Sequence, residues 1–194
     1  MKIVLASQSP RRKELLGRMG LEFVTQASKI DEDAFGGLEA RELVATLSRE
    51  KARWIAQRLD GEALVIGADT VVVRDGVALG KPRDAEDAVA MLLSLSGRDH
   101  QVCTGVTVCL GEKILTQVEE TQVTFRALTE AEIRQYVSTG EPMDKAGAYG
   151  IQGLGGLLVS GIRGDYSNVV GLPVCRLGQM LKDFGVDCLA LAGQ

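Results

Sequence analysis

Ala63-Leu64-Val65-Ile66-Gly67-Ala68-Asp69-Thr70-Val71-Val72-Val73 is the stretch on which the fold turns. The apolar run from Ala63 to Asp69 reads as a central strand ending in a carboxylate, since unbroken hydrophobicity suits a strand covered on both faces. Extended structure resumes at Val71-Val72-Val73, and Asp75-Gly76 marks a hairpin turn. An acid at the carboxyl end of a buried strand points into the crevice where open α/β sheets place their ligands. The plainer reading of Asp69 is a turn-former or helix cap.

Upstream, Ile3-Val4-Leu5-Ala6 reads as a buried strand that stops at Ser7-Gln8-Ser9-Pro10. Ser9 as N-cap and Pro10 at the first helical position open a helix expected to reach Gly20. A short strand near Phe23-Val24, an acidic Gly-rich loop and a long helix over 39–59 follow, the last with Leu43, Leu47, Trp54 and Ile55 on its apolar face. Downstream, Asp84 opens a helix to about Leu95, and runs from His100 to Leu110 and Lys113 to Phe125 form a hairpin. The Thr129–Glu132 capping box starts another helix, Leu157-Leu158-Val159 looks like a strand, and Pro173 to Phe184 makes the last helix. Early βα units with a later antiparallel portion give an α/β protein with a mixed central sheet flanked by helices.

Composition narrows the function. The 194 residues carry 22 Lys+Arg against 26 Asp+Glu, a net charge of −4, with eight aromatic residues. That profile speaks against an extended nucleic-acid partner, which calls for a basic surplus and stacking platforms. One histidine, His100, excludes sites needing two imidazoles. Cys103, Cys109, Cys175 and Cys188 form no C-x-x-C and sit in apolar stretches, so all four read as small buried hydrophobes in a reducing compartment. With no apolar run approaching a membrane span, the expectation is a cytoplasmic protein with no membrane partner.

Five segments bear on chemistry. Ser7-Gln8-Ser9-Pro10-Arg11-Arg12-Lys13 joins a helix N-terminus to three consecutive cations, which suits phosphate, and each arginine can offer a planar fork. Asp69 and Thr70 close the central strand, and Lys81, in Gly80-Lys81-Pro82, returns to the same end after the hairpin. Glu32 in its acidic loop and Lys51 in the long helix would by themselves read as solvated charges. In the fifth, 144–156, glycines let a backbone approach a flat ligand, Gln152 offers a paired donor and acceptor, and interleaved Tyr149, Ile151 and Leu154 favour a packed binding loop over a linker.

Together these segments resemble the Maf family of nucleoside triphosphate pyrophosphatases. Ser7-x-Ser9-Pro10-Arg11-Arg12, Glu50-Lys51-Ala52, Gly67-Ala68-Asp69-Thr70, Lys81-Pro82 and the Asp144–Gly153 string stand in that family's order and approximate spacing. The resemblance implies a single domain over 1–194, with two lobes around a deep cleft, similar to the inosine triphosphate pyrophosphatases. It implies hydrolysis of a nucleoside triphosphate to the monophosphate and pyrophosphate with a divalent cation, Mg²⁺ or Mn²⁺, held by Asp69 and Glu32. Asp69, Glu32 and Lys81 would carry catalysis. Ser7, Ser9, Arg11, Lys51 and Lys81 would bind phosphates, and Arg12, Thr70 and Gln152 would set a preference for dTTP and UTP. A 7-methyl-GTP-preferring branch ranks second. A nucleotide-sensing regulator of cell division is the alternative from another class, and such a sensor would need the cations but not Asp69 and Glu32. A Ser or Cys hydrolase is disfavoured by the absence of G-x-S-x-G. Oligomeric state is left open, a homodimer included.

Overall fold

The computed structural model describes residues 1–192. One mixed seven-stranded sheet runs in the order β2-β1-β3-β5-β6-β7, with β4 also paired to β3. Its strands are β1 (Lys2–Leu5), β2 (Val24–Thr25), β3 (Ala63–Arg74), β4 (Val77–Leu79), β5 (Asp99–Leu110), β6 (Lys113–Phe125) and β7 (Val159–Arg163). The helices are α1 (Pro10–Gly17), α2 (Ala40–Ala56), α3 (Ala85–Leu95), α4 (Glu130–Ser138), α5 (Tyr166–Val170), α6 (Val174–Lys182) and α7 (Cys188–Ala192).

β3 is the spine, and its 12 residues run without interruption through Asp69. Asp69 therefore lies in mid-strand, not at a strand end as its sequence context suggests. What interrupts is the neighbour. Parallel β1 pairs with β3 only up to Leu5–Ile66, and antiparallel β4 begins only at Val72–Leu79, while β5 pairs along the opposite edge without a break from Val65 to Val73. Between Ile66 and Val72 the β1/β4 side of β3 is a notch in the sheet.

Side-chain alternation sends successive β3 residues to opposite faces. Leu64, Ile66 and Ala68 join a core with α1 and α6, and Val72 joins a second core with α3 and α4. The odd-numbered Ala63, Val65, Val71 and Val73 pack beneath α2. In the notch, Thr70 thus belongs to the face that holds the two cores and Asp69 to the face that carries α2.

Helix α2 lies directly on the strands because glycine leaves room for it. A Cβ at Gly67 would run into the Ser48 carbonyl oxygen and come within 3.0 Å of the Ala52 nitrogen, and one at Gly105 would meet the Val44 carbonyl. Ser48 and Thr107 share a buried hydroxyl hydrogen bond of 2.9 Å at this contact. The buried stripe of α2 is Val44, Leu47, Ser48, Lys51, Ala52 and Ile55, one residue round from the expected face; Leu43 and Trp54 flank it.

Other boundaries shift for local reasons. The first helix stops at Gly17, and Leu157 and Leu158 belong to a 3₁₀ turn before β7. Cys103 and Cys109 are buried, but Cys175 is exposed and Cys188 half-buried. The inward stripe of α6 is Leu177, Met180 and Leu181, which leaves Cys175 on its outer side. Burial pushes the Cys103 thiol up to about 11, with Glu120 adding to the shift. No described helix is long and apolar enough to cross a membrane.

Candidate active site

A cleft of about 990 Å³ opens over the notch, and all ten candidate residues line it: Ser7, Ser9, Arg11, Arg12, Glu32, Lys51, Asp69, Thr70, Lys81 and Gln152. Asp144, Lys145 and Tyr149 line it as well.

The turn after β1 is built by its serines. Ser7 Oγ accepts the Ser9 N–H at 3.1 Å, and Ser9 Oγ caps α1 by accepting the Arg12 N–H at 3.4 Å. Pro10 at the first helical position has no N–H to satisfy. Arg11 reaches Asp144 at 3.4 Å and so links α1 to the glycine-rich segment. Arg12 turns inward: Nε donates to the Gly171 carbonyl at 2.7 Å and Nη2 to the Thr70 hydroxyl at 3.0 Å. Burial draws its guanidinium below its ordinary value, Arg11 adding to the effect while Asp69 and Glu32 oppose it.

Thr70 extends that contact inward through Thr104, 2.9 Å away, whose hydroxyl donates to the Asn168 carbonyl at 3.0 Å. Asn168 is wholly buried and donates to the Val102 carbonyl and the Thr121 hydroxyl. Asp165 caps α5 by accepting the Ser167 N–H at 2.7 Å. Asp165 before Tyr166-Ser167-Asn168 is a helix-start signal in the sequence. It places the short helix that brings the Gly171 carbonyl to Arg12.

On the opposite face, α2 delivers Lys51. Its ammonium sits 2.6 Å from Asp69 Oδ1 and 2.9 Å from Glu32 Oε1, joining the two carboxylates in one cluster. Lys51 is 8% exposed and Asp69 also 8%, so this pairing is largely withdrawn from water, where truncating Lys51 would strip the Asp69 carboxylate of its ion-pair partner. Spacing from Val44, Leu47 and Ser48 is the signal in the sequence that turns Lys51 inward.

Lys81, expected beside Asp69, lines the same cleft but is exposed, and among the described residues it makes neither a hydrogen bond nor an ion pair. Gln152 is also exposed and equally free of protein hydrogen bonds. Glu32 and Asp69 are two hard oxygen donors, and among the described residues no third His, Cys, Asp or Glu completes a cluster with them. Such a pair fits Mg²⁺ or Mn²⁺ when phosphate oxygens and water supply the other ligands, the usual habit of Mg²⁺.

His100, the one histidine, is not in the cleft. It lies in the second core, 2% exposed, with Nε2 at 2.8 Å from the Tyr149 hydroxyl and Nδ1 without a partner among the described residues. Phe125, Tyr149 and His100 stack edge to face in pairs. Burial pushes its imidazole down to about 4, so it is neutral at pH 7 and anchors Tyr149 instead of transferring protons.

A profile of the Maf-like protein family matches residues 2–184. A dTTP/UTP pyrophosphatase of Moorella thermoacetica is 54% identical over 189 residues, covering 96% of each chain. One of Pelotomaculum thermopropionicum is 51% identical over 190 residues, covering 97% of this chain and 99% of its own. Among solved structures, a nucleoside triphosphatase (dITP/XTP pyrophosphatase) of Mycobacterium abscessus aligns over 66% of this chain and 76% of its own, at 15% identity and a TM-score of 0.42.

Proposed function

The chain belongs to the Maf-like protein family, and from that premise we propose that it hydrolyses dTTP and UTP to the monophosphate and pyrophosphate in the cleft over β3. The observation that carries the reading is the Asp69–Lys51–Glu32 cluster, set in one cleft with Arg11, Arg12 and Lys81. A passive phosphate receptor needs the cations alone. Two carboxylates held at such a site serve a reaction.

Chemistry at phosphorus asks the protein mainly to position groups and neutralise charge. Arg11, Lys51 and Lys81 hold the triphosphate, with Ser7 and Ser9 shaping the turn beneath it. Lys81, having no partner among the described residues, is free to follow the departing pyrophosphate. Asp69 orients water for in-line attack at the α-phosphorus. Asp69 and Glu32 would hold a divalent cation, which would supply charge neutralisation on the triphosphate. The net charge of −4 does not oppose this ligand, because five cations, Lys145 included, converge on one cleft. The working unit is one domain whose two lobes share that cleft.

Base choice follows from donors and acceptors. The Gln152 amide accepts from the N3–H of uracil or thymine and donates to a neighbouring carbonyl, whereas cytosine presents the opposite pattern. Arg12, fixed by Gly171 and Thr70, retains N–H groups that favour a carbonyl over an amino group. A mismatched base leaves buried polar groups unpaired. Purified protein incubated with a panel of nucleoside triphosphates and Mg²⁺ or Mn²⁺ tests the reading. Pyrophosphate released fastest from UTP and dTTP supports it; no pyrophosphate from any of them overturns it.

A further inference from the structure

Gln152 makes no hydrogen bond to the described protein, so its position is set by the backbone that carries it. That backbone, 150–155, is fastened from behind. The Glu141 carboxylate accepts three hydrogen bonds: from the Leu154 N–H at 2.9 Å, the Gly155 N–H at 3.0 Å and the Tyr136 hydroxyl at 2.9 Å. The Tyr136 hydroxyl in turn accepts the Gly150 N–H at 3.2 Å. The turn is thus gripped at both ends by one Glu–Tyr pair, neither member of which lines the cleft.

Packing reports the same grip independently. A Cβ at Gly153 would stand 2.5 Å from a Glu141 carboxylate oxygen, and one at Gly155 would stand 2.7 Å from the Tyr136 hydroxyl and 2.6 Å from the Gly150 carbonyl. Glycine at these positions is a requirement of close approach to the pair. Burial pushes the Glu141 carboxyl up, but the Gly155 and Leu154 N–H groups, the Tyr136 hydroxyl and the Lys145 charge together outweigh it and hold the group below the usual carboxylate range. At neutral pH Glu141 is an acceptor only, as three converging donors demand.

We propose that Glu141, backed by Tyr136, is a positioning residue for base selection, holding the 150–155 turn so that the Gln152 amide meets the N3–H edge of the pyrimidine. This rests on the reading of Gln152 as a base-contacting residue. Glu141→Gln keeps the size but replaces one acceptor oxygen with a donor facing an N–H group.

The test is a double-mutant cycle on the full chain, measuring kcat and KM for UTP and CTP in Glu141→Gln, Gln152→Ala and the double variant. Loss of a hydrogen bond to the base predicts a KM for UTP raised about tenfold in each single variant, kcat within about twofold of the parent, and UTP-over-CTP preference reduced about tenfold. The double variant is expected to match Gln152→Ala alone, because Glu141 acts through Gln152. An effect of Glu141→Gln that adds in full to that of Gln152→Ala, a fall in kcat alike for UTP and CTP, or an unchanged KM overturns the inference. Unchanged kinetics in Gln152→Ala instead overturn the Gln152 reading itself, and the inference with it. Should Glu141→Gln fail to fold, Tyr136→Phe, which removes the Gly150 contact and one donor to Glu141, is expected to show the same pattern at smaller size; unchanged preference there refutes the grip.

Discussion

His100 gives the fold a pH dependence that can be isolated, because no second histidine titrates beside it. Its imidazole is pushed down to about 4 by burial, with Asp99 opposing the shift, against an ordinary value near 6.5. The folded state therefore binds fewer protons than the unfolded state between these values. Stability is full above pH 6.5 and falls as the pH drops toward 4, with a limiting slope of about 1.4 kcal/mol per pH unit. Between pH 7 and pH 5 the loss amounts to about 2 kcal/mol, equivalent to roughly 4–8 °C in Tm for a chain of this size. Carboxylates with depressed values, such as Glu132 at about 2 in its capping box, lose their contribution only at lower pH. The assay is urea unfolding at half-unit steps from pH 5 to pH 7.5, on the parent and on His100→Gln. The glutamine is neutral throughout and long enough to keep a hydrogen bond to Tyr149. The parent should show the slope and His100→Gln should lose most of it. Equal slopes in the two proteins, or a flat parent, would refute the assignment of this linkage to a buried neutral imidazole.

Gly67→Ala should destabilise by about 1–3 kcal/mol, read as a lowered Tm, because the new methyl meets a backbone carbonyl of α2 that cannot rotate away. It should also lower turnover by displacing Lys51 from Asp69, whereas Gly17→Ala, with nothing near its Cβ position, should be stable and fully active. Asp69→Asn should lower kcat by at least about 100-fold while nucleotide affinity, measured by calorimetry, changes only a few-fold. Substantial metal-dependent turnover in that variant removes Asp69 from the catalytic role.

Local chemistry was the most legible part of the sequence. Ser9 caps α1 with Pro10 behind it, and Thr129 and Glu132 close a complete capping box, because such motifs are decided within one turn of chain. Asp69 lies in the cleft for a reason that its own neighbours in the sequence do not carry. The valines after it continue β3, and the opening comes from β1 ending and β4 beginning, a matter of partner strands that no single run of residues encodes. Lys51 stands out in the sequence only through the family resemblance, since a lysine among Glu50, Arg49 and Arg53 reads as solvated until the α2 stripe is registered on Gly67 and Gly105. Glu141 and Tyr136 carry no such signal. Their partners are backbone N–H groups of a turn, and side-chain patterning carries no record of those.

Hydrolysis of UTP in water enriched in oxygen-18, followed by mass spectrometry of both products, tests water attack at the α-phosphorus most directly. The label is predicted in UMP, with the pyrophosphate unlabelled and the transfer lost in Asp69→Asn. Label in the pyrophosphate, or release of orthophosphate and UDP, would contradict it.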